Sequence, residues 1–449
     1  MLLVSPLEYF TDSILRAPTI GSMLMCFTAG IVGTIVFLRK QSLIGEALSH
    51  AAYPGVILGV ICAGMIEIDS SQSFLLSFLI IIGAFFTTLL GAWCINFLIK
   101  KAQIRPDSAL CFVLSGFFGI GLTLASQVQF TYSSLYQQIQ VYLYGQAATM
   151  TDIHIQIYLV LAIVVSVTII CLYKEIQLIT FDEDYAKSLG FNTRLIDSLF
   201  FILMVLAVVI GIRSVGVVLM SAMLIAPAAA ARQFTNKLSI MLILASIFGI
   251  FSGYFGNYFS VELTNYFQAQ YPDDRFSIPT GPMIVMVAAS ICIISLAFSP
   301  KRGILIRLFR VANFRYKCTS ENILKAIWRI APDTEVSVQV IANYQNVSKL
   351  YLKFILLQLT RQGWIENTKK NHYKLTKDGK LRAEKIIRLH RLWEVYLADY
   401  LGVGAERVHK NAEEMEHIIT PEIERELTLL LKDPKKDPHH QPIPSLKGL

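Results

Sequence analysis

Stretches of about 20 apolar residues, the length a helix needs to cross a bilayer, recur through the first 300 residues and then stop. They lie near 17–38, 43–63, 73–99, 108–126, 153–173, 195–212, 214–231, 238–259 and 279–299. Backbone polar groups in hydrocarbon must bond within their own segment, so runs of this kind leave a helical bundle as the fold. The expected count is about nine spans. A Tyr-rich piece, 132–149, is less apolar and reads as a half-span or a surface helix.

Charge divides the chain at the same place. Residues 1–299 hold 13 Lys+Arg and 15 Asp+Glu, a net of −2, and residues 300–449 hold the remaining 27 and 17, a net of +10. Within the first part Arg39/Lys40, Lys100/Lys101/Arg105, Lys174 to Arg194, Arg232/Lys237 and Lys301/Arg302 fall on one side of the spans. The opposite segments, 64–72, 127–137 and 260–278, carry Arg275 as their sole Lys or Arg. The positive-inside rule makes the first set cytoplasmic and delivers residues from about 300 onward into the cytoplasm. A basic soluble domain suits nucleic acid or an anionic membrane surface. The seven cysteines stand singly, without CxxC spacing, which argues against disulfide or thiolate-metal frameworks. No cleavable leader is read, and the first span serves as insertion signal.

Three features of the membrane half bear on chemistry. Glu46 and His50, in QSLIGEALSHAAYPG, are one helical turn apart inside an apolar run. Ionisable groups there are costly unless functional or paired, and carboxylate plus imidazole can hold a divalent first-row metal; a structural hydrogen-bonded pair is the plainer alternative. The polar insert FDEDYAKSLGFN, residues 181–192, offers a cytoplasmic surface, with Asp182, Glu183 and Asp184, for a motor subunit or serves as an ordinary connector. No GxxxxGK[ST] phosphate loop occurs, so an ATPase, if used, is another chain. At GEALSHAAYPGVILG, RPDSALCFVLSGFFGIGLTLAS, FDEDYAKSLGFN, VGVVLMSAMLIAPAAAAR and IPTGPMIV the chain resembles the ABC-3 family of zinc, manganese and iron permeases over residues 10–300. The resemblance implies an importer with a periplasmic metal-binding protein, a cytoplasmic ATPase subunit and a second permease subunit. It also implies Glu46 and His50 as pathway residues, Glu standing where Asp is commoner, and the 181–192 insert as coupling helix.

Residues 300–318 (PKRGILIRLFRVANFRYKC) are basic and amphipathic, a connector suited to membrane lipid or to proteolytic release of the C-terminal domain. Beyond it, helices at 320–331, 336–343 and 348–362 and a hairpin at 363–376 read as a winged helix-turn-helix. Ser348 is its expected N-cap, and Leu350, Phe354, Leu357 and Leu359 its expected core contacts. Ser348, Lys349, Tyr351 and Lys353 would face a DNA groove, with wing residues Lys369 and Lys370 on phosphate. A long helix over 377–401 and two more over 404–418 and 421–432 come next, with an irregular Pro-rich end. His390 and Glu394 share one helix face; His409, Glu413, Glu416 and His417 lie on the next. Imidazole and carboxylate without thiolate favour Mn2+ or Fe2+ and admit Zn2+.

The run RLHRLWEVYLADYLGVGAERVHKNAEEMEHIITPEIERELTLLLKDPKKDPHHQPIP resembles the iron- and manganese-dependent repressors of the diphtheria-toxin-repressor family over residues 318–447. The resemblance implies a homodimer on operator DNA, an ancillary metal site at His390, Glu394 and His409, and a regulatory site at Glu413, Glu416 and His417. Lys325 departs from it, standing where manganese-type members have Glu, and so does Asn322, at a position that is Met in iron-type and Asp in manganese-type members. The two halves together resemble the fused permease–repressors of the chlamydiae. The expected architecture is an all-α polytopic membrane domain (1–299), a linker (300–318), a winged helix-turn-helix with a small β wing (319–376) and a helical metal-binding dimerisation domain (377–449). The expected function is divalent-metal import through an ABC permease joined to a metal-dependent repressor, the alternative being a membrane-anchored receptor whose spans do not transport.

Overall fold

The computed structural model describes residues 5–66, 73–131, 133–272, 277–345, 347–403, 412–413 and 415–445. They form two compact units, Met1–Ile306 and Arg307–Leu449.

The first unit is helical throughout. Its elements are α1 (Glu8–Thr11), α2 (Arg16–Leu38), α3 (Ser42–Met65), α4 (Ser73–Lys100), α5 (Pro106–Thr131), α6 (Ser133–Tyr144), a 3-10 turn at Ala147–Thr149, α7 (Asp152–Cys171), α8 (Tyr173–Phe181), α9 (Glu183–Ser188), α10 (Thr193–Val215), α11 (Met220–Phe234), α12 (Leu238–Gln270) and α13 (Thr280–Phe298). Among the described residues eight helices are long and apolar enough to cross a membrane, where the hydropathy pattern suggests about nine.

The difference is α11. The apolar run through 195–231 is broken after Val215 by Gly216, whose φ of 96° is left-handed and whose surroundings leave no room for a Cβ: one would lie 2.6 Å from the backbone of Tyr144. The chain there pairs with the end of α6, the Val217 amide donating to the Tyr142 carbonyl (3.0 Å) and the Gln146 amide to the Arg213 carbonyl (3.1 Å). α11 keeps 15 residues, too few for a full span, and lies inside the bundle with Met220, Met223, Ala228, Ala230 and Ala231 buried. A short helix is tolerated at membrane depth when protein encloses its ends. The Tyr-rich piece becomes α6, 12 residues long with Ile139 and Tyr142 buried.

Small residues set the closest helix contacts. A Cβ at Gly249 or Gly253 of α12 would sit 2.2 Å or 2.7 Å from the Cys26 and Ser22 carbonyls of α2, and Gly55 and Gly83 bring α3 and α4 together in the same way. Such contacts do in lipid what apolar burial does in water.

The second unit contains α14 (Ile304–Ile330, most of it), β1 (Val336–Ser337), α15 (Val338–Gln345), α16 (Lys349–Arg361), β2 (Ile365–Lys369), β3 (His372–Leu375), α17 (Lys377–Asp399) and a last helix at Pro421–Leu430. The strands form an antiparallel sheet in the order β1-β3-β2, with Val336 opposite Tyr373 and Ile365 opposite Leu375. Helix-turn-helix plus hairpin is the winged arrangement expected. Its core gathers Ile323, Leu324 and Ile327 from α14, Ile341 from α15, and Leu352, Ile355, Leu356 and Leu359 from α16.

Two details of α16 differ from the expectation. Leu350, Phe354 and Leu357 are half to mostly exposed (85%, 50% and 50%), and only Leu359 of the four expected contacts is in the core. Ser348 precedes the helix without a side-chain capping bond. The basic connector is helix from Ile304 onward. The Pro-rich end is irregular but anchored on α17: Arg388 donates to the Pro444 carbonyl (2.8 Å) and Arg391 to that of Pro442.

Candidate metal and coupling sites

In the membrane unit, Glu46 and His50 lie in the first half of α3, one turn apart. His50 is buried at 7% exposure with its ring set edge-on to Phe118 of α5, 4.7 Å between centroids. Its Nδ1 is buried and makes no hydrogen bond. A buried ring nitrogen left unbonded costs on the order of 1–3 kcal/mol, which a bound cation would recover. Glu46, half-buried on the same face, supplies a carboxylate nearby. Among the described residues no third His, Cys, Asp or Glu joins them, so this chain offers two donors where a transition metal takes four or more.

The 181–192 insert folds as a capped short helix. The Asp182 carboxylate accepts from the Tyr185 amide (2.9 Å) and so starts α9. At the other end Gly190, φ 83°, closes it with bonds from the Gly190 amide to Lys187 and from the Phe191 amide to Ala186. Ala186 faces the core; Phe181, Glu183, Asp184, Tyr185 and Leu189 are exposed. The result is a rigid apolar-and-acidic knob. Behind it Arg39 binds Asp197 (2.7 Å).

In the second unit the expected donors meet, with company. His390 and Glu394 of α17 are 1% and 2% exposed, with His390 Nε2 3.1 Å from Glu394 Oε1. The other ring nitrogen, Nδ1, is bonded to Glu416. A carboxylate on the far nitrogen is what fixes the tautomer of a metal-ligating histidine. His390 and Glu394 therefore fit a divalent ion between them; His409, the third expected donor, lies outside the described residues.

Glu413, Glu416 and His417 do not fit a metal as they stand. The Lys325 ammonium, 3% exposed, lies 2.6 Å from Glu416 Oε1 and 3.7 Å from Glu413 Oε1. His417 Nδ1 is bonded to Glu321 Oε2 (2.7 Å), whose other oxygen binds Arg382 (2.7 Å). Lys317 donates to the His417 carbonyl (3.0 Å). Among the described residues no group of three or more donors is placed to hold a metal ion. The Lys325 ammonium thus stands at the second expected site, while Glu321 holds the His417 ring and Lys317 its backbone carbonyl.

Electrostatics reflect these contacts. Burial alone would raise the Glu416 carboxyl, but His390 and Lys325 outweigh it and hold its pKa below the ordinary range. Burial likewise works against ionised Glu321, and the His417 hydrogen bond and Arg382 charge hold its pKa low. For His390 burial lowers the pKa, yet bonds to Glu394 and Glu416 raise it overall. Both carboxylates thus favour the protonated ring, which competes with an ion at Nε2.

The residues expected to face DNA, Ser348, Lys349, Tyr351, Lys353, Lys369 and Lys370, are all exposed or partly so, with Lys369 near Glu335 (3.6 Å). Lys317, Glu321 and Arg382 are site residues that sequence reasoning misses. The available signal is the spacing of Lys317, Glu321 and Lys325, four residues apart on one face of an otherwise apolar-cored helix.

Comparison with known proteins agrees with this layout. Residues 11–299 match the ABC 3 transport family, and residues 376–445 match the iron dependent repressor, metal binding and dimerisation domain. A probable metal transport system membrane protein of Chlamydia trachomatis serovar D is 36% identical over 442 residues, covering 97% of each chain. The manganese transport system membrane protein MntC of Bacillus subtilis is 33% identical, covering 84% of this chain and 82% of its own. Among solved structures, PsaBC from Streptococcus pneumoniae superposes with a TM-score of 0.54 at 27% identity, covering 70% of this chain and all of that one. The chain belongs to the ABC 3 transport family and carries an iron-dependent-repressor domain at its C-terminal end.

Proposed function

We propose that the membrane half carries a divalent transition metal (Mn2+, Fe2+ or Zn2+) across the bacterial inner membrane, and that the C-terminal half is a cytoplasmic metal-dependent repressor. The observation that carries the transport reading is His50 Nδ1, buried without a partner one turn from Glu46. Two donors from one chain call for more from elsewhere, and a second permease subunit presenting the same face would supply them. A periplasmic metal-binding protein would deliver the ion, and a cytoplasmic ATPase subunit would dock on Asp182, Glu183 and Asp184. In the repressor half, metal at His390, Glu394 and His409 would favour the homodimer whose α16 helices enter successive major grooves of operator DNA, with Ser348, Lys349, Tyr351 and Lys353 at the bases and Lys369 and Lys370 on phosphate. Exposed lysines at these positions support the docking, and affinity should fall steeply with salt.

The test is metal accumulation in cells that supply the partner subunits. Glu46→Ala and His50→Ala should each abolish uptake while leaving membrane insertion intact. Wild-type uptake by both would defeat the pathway assignment and favour a receptor whose spans do not transport. Operator binding unaffected by chelator or by His390→Ala would defeat the sensor reading.

A further inference from the structure

The Lys325 ammonium is placed as a metal ion would be. It enters from α14, is nearly sealed from solvent, and sits between carboxylate oxygens of Glu416 (2.6 Å) and Glu413 (3.7 Å), both from the metal-binding segment beyond α17. Glu416 is itself fully buried, and a buried carboxylate needs a cation or donors on each oxygen. Lys325 serves one oxygen and His390 the other. The remaining expected ligand, His417, is bonded through Nδ1 to Glu321, which Arg382 neutralises, and its Nε2 lies 3.4 Å from Glu416 Oε1, the oxygen that Lys325 holds.

We propose that Lys325 is a built-in cation that replaces the metal of the Glu413–Glu416–His417 site, leaving His390 and Glu394 as the core of the single exchangeable metal site in this half. This deepens the sensor reading and rests on it. A tethered ammonium does not leave when metal is scarce, so the contact of α14 with Glu413 and Glu416 is permanently charge-neutralised. The exchangeable ion acts on that contact only indirectly, through the hydrogen bond from His390 to Glu416. Metal dependence is then conferred by one ion per chain, with a response to concentration lacking the steepness that two linked ions would give.

The experiment counts Mn2+ bound to the purified full-length chain in detergent, in a His50→Ala background that removes the transport site. Lys325→Met vacates the position while keeping side-chain length; Lys325→Glu adds a third carboxylate. Each should gain one Mn2+ per chain over the parent, and Glu416→Gln added to either should erase the gain. Lys325→Arg, which keeps the charge, should gain none. In the parent, Glu416→Gln should leave the count unchanged, since a glutamine oxygen still accepts from His390. An unchanged count in both Lys325→Met and Lys325→Glu, or a parent ion removed by Glu416→Gln, overturns the assignment. Failure of the underlying sensor reading looks different: the parent then holds no Mn2+ that His390→Ala removes, while the Lys325 variants still gain theirs.

Discussion

Replacing the members of the Lys325 cluster one at a time should destabilise the second unit in an order set by burial and by what each change leaves unpaired. Breaking a buried ion pair by removing one partner costs roughly 3–5 kcal/mol. Lys325→Met leaves Glu416 ionised but still bonded to His390, so the lower figure, about 3 kcal/mol, applies. Glu416→Gln is worse. Its amide offers one oxygen to two donors, Lys325 and His390, and turns its NH2 toward whichever it does not serve, so the cost approaches about 5 kcal/mol. Glu413→Gln should cost at most about 1 kcal/mol, because that carboxylate is 48% exposed and 3.7 Å from the ammonium. The assay is urea unfolding of residues 307–449, a unit with its own core, at pH 7 in chelator. With a slope near 2 kcal/mol/M, the Lys325→Met midpoint should fall by about 1.5 M without change of slope. A Lys325→Met midpoint within error of the parent, or Glu413→Gln as costly as Glu416→Gln, refutes the reasoning.

In chelator, stability of the same unit should depend on pH in two directions. Glu321 and Glu416 have lowered pKa values in the folded state, so their contribution is present above the ordinary carboxylate pKa and fades as pH falls through the folded values. His390 is raised, so its contribution is present below about pH 6.5 and fades as pH rises through its folded pKa. Melting temperature should therefore fall at both ends, and Mn2+ should abolish the alkaline fall by taking the proton's place; a profile flat in chelator from pH 6 to 9 counts against it. On the permease, Asp184→Lys should weaken co-purification of the ATPase subunit, Asp184 being exposed and without a capping role, whereas Asp182→Lys would also unfold α9 by removing its N-cap. Unchanged co-purification of the Asp184 variant would place the coupling surface elsewhere. A tag at Leu449 tests release: because the basic strip is helical from Ile304 onward, a protease needs local unfolding there, and a soluble tagged fragment should appear only if such opening occurs. Tag found solely in full-length membrane protein, with regulation intact, means the repressor works tethered.

Much of this architecture is legible in the sequence because its signals are local. Glu46 and His50 stand out as ionisable groups in an apolar run, and D-x-x-Y…G at 182–190 spells an N-cap and a left-handed C-terminal glycine. Hydropathy cannot see the break that shortens α11, since Val215 to Leu219 is as apolar as a span; Gly216 breaks it through a backbone angle and a neighbour from α6. The buried face of α16 is hard to read because KLYLKFILLQLTR carries apolar residues all round. Burial selects Leu352, Ile355, Leu356 and Leu359, a proper i, i+3, i+4, i+7 set, and leaves Leu350, Phe354 and Leu357 outside. The Lys325–Glu416 contact joins residues 91 apart, and no spacing rule reaches that far.

That contact also explains how a sensor segment can act on a DNA-binding core it does not belong to. α14 has two faces. Ile323, Leu324 and Ile327 point into the winged-helix core, while Lys317, Glu321 and Lys325, at successive turns, hold Glu413, Glu416 and His417. A shift of His417 or Glu416 therefore strains three polar contacts on one rigid helix, and that helix cannot move without disturbing the packing of Ile341 and Leu356 beneath α15 and α16. Glu416 links the two segments, since its second oxygen is bonded to His390 of α17. A divalent ion held by His390 and Glu394 would leave the Nδ1 bond to Glu416 in place, and would reach α14 only through Glu416, whose other oxygen the fixed Lys325 ammonium holds.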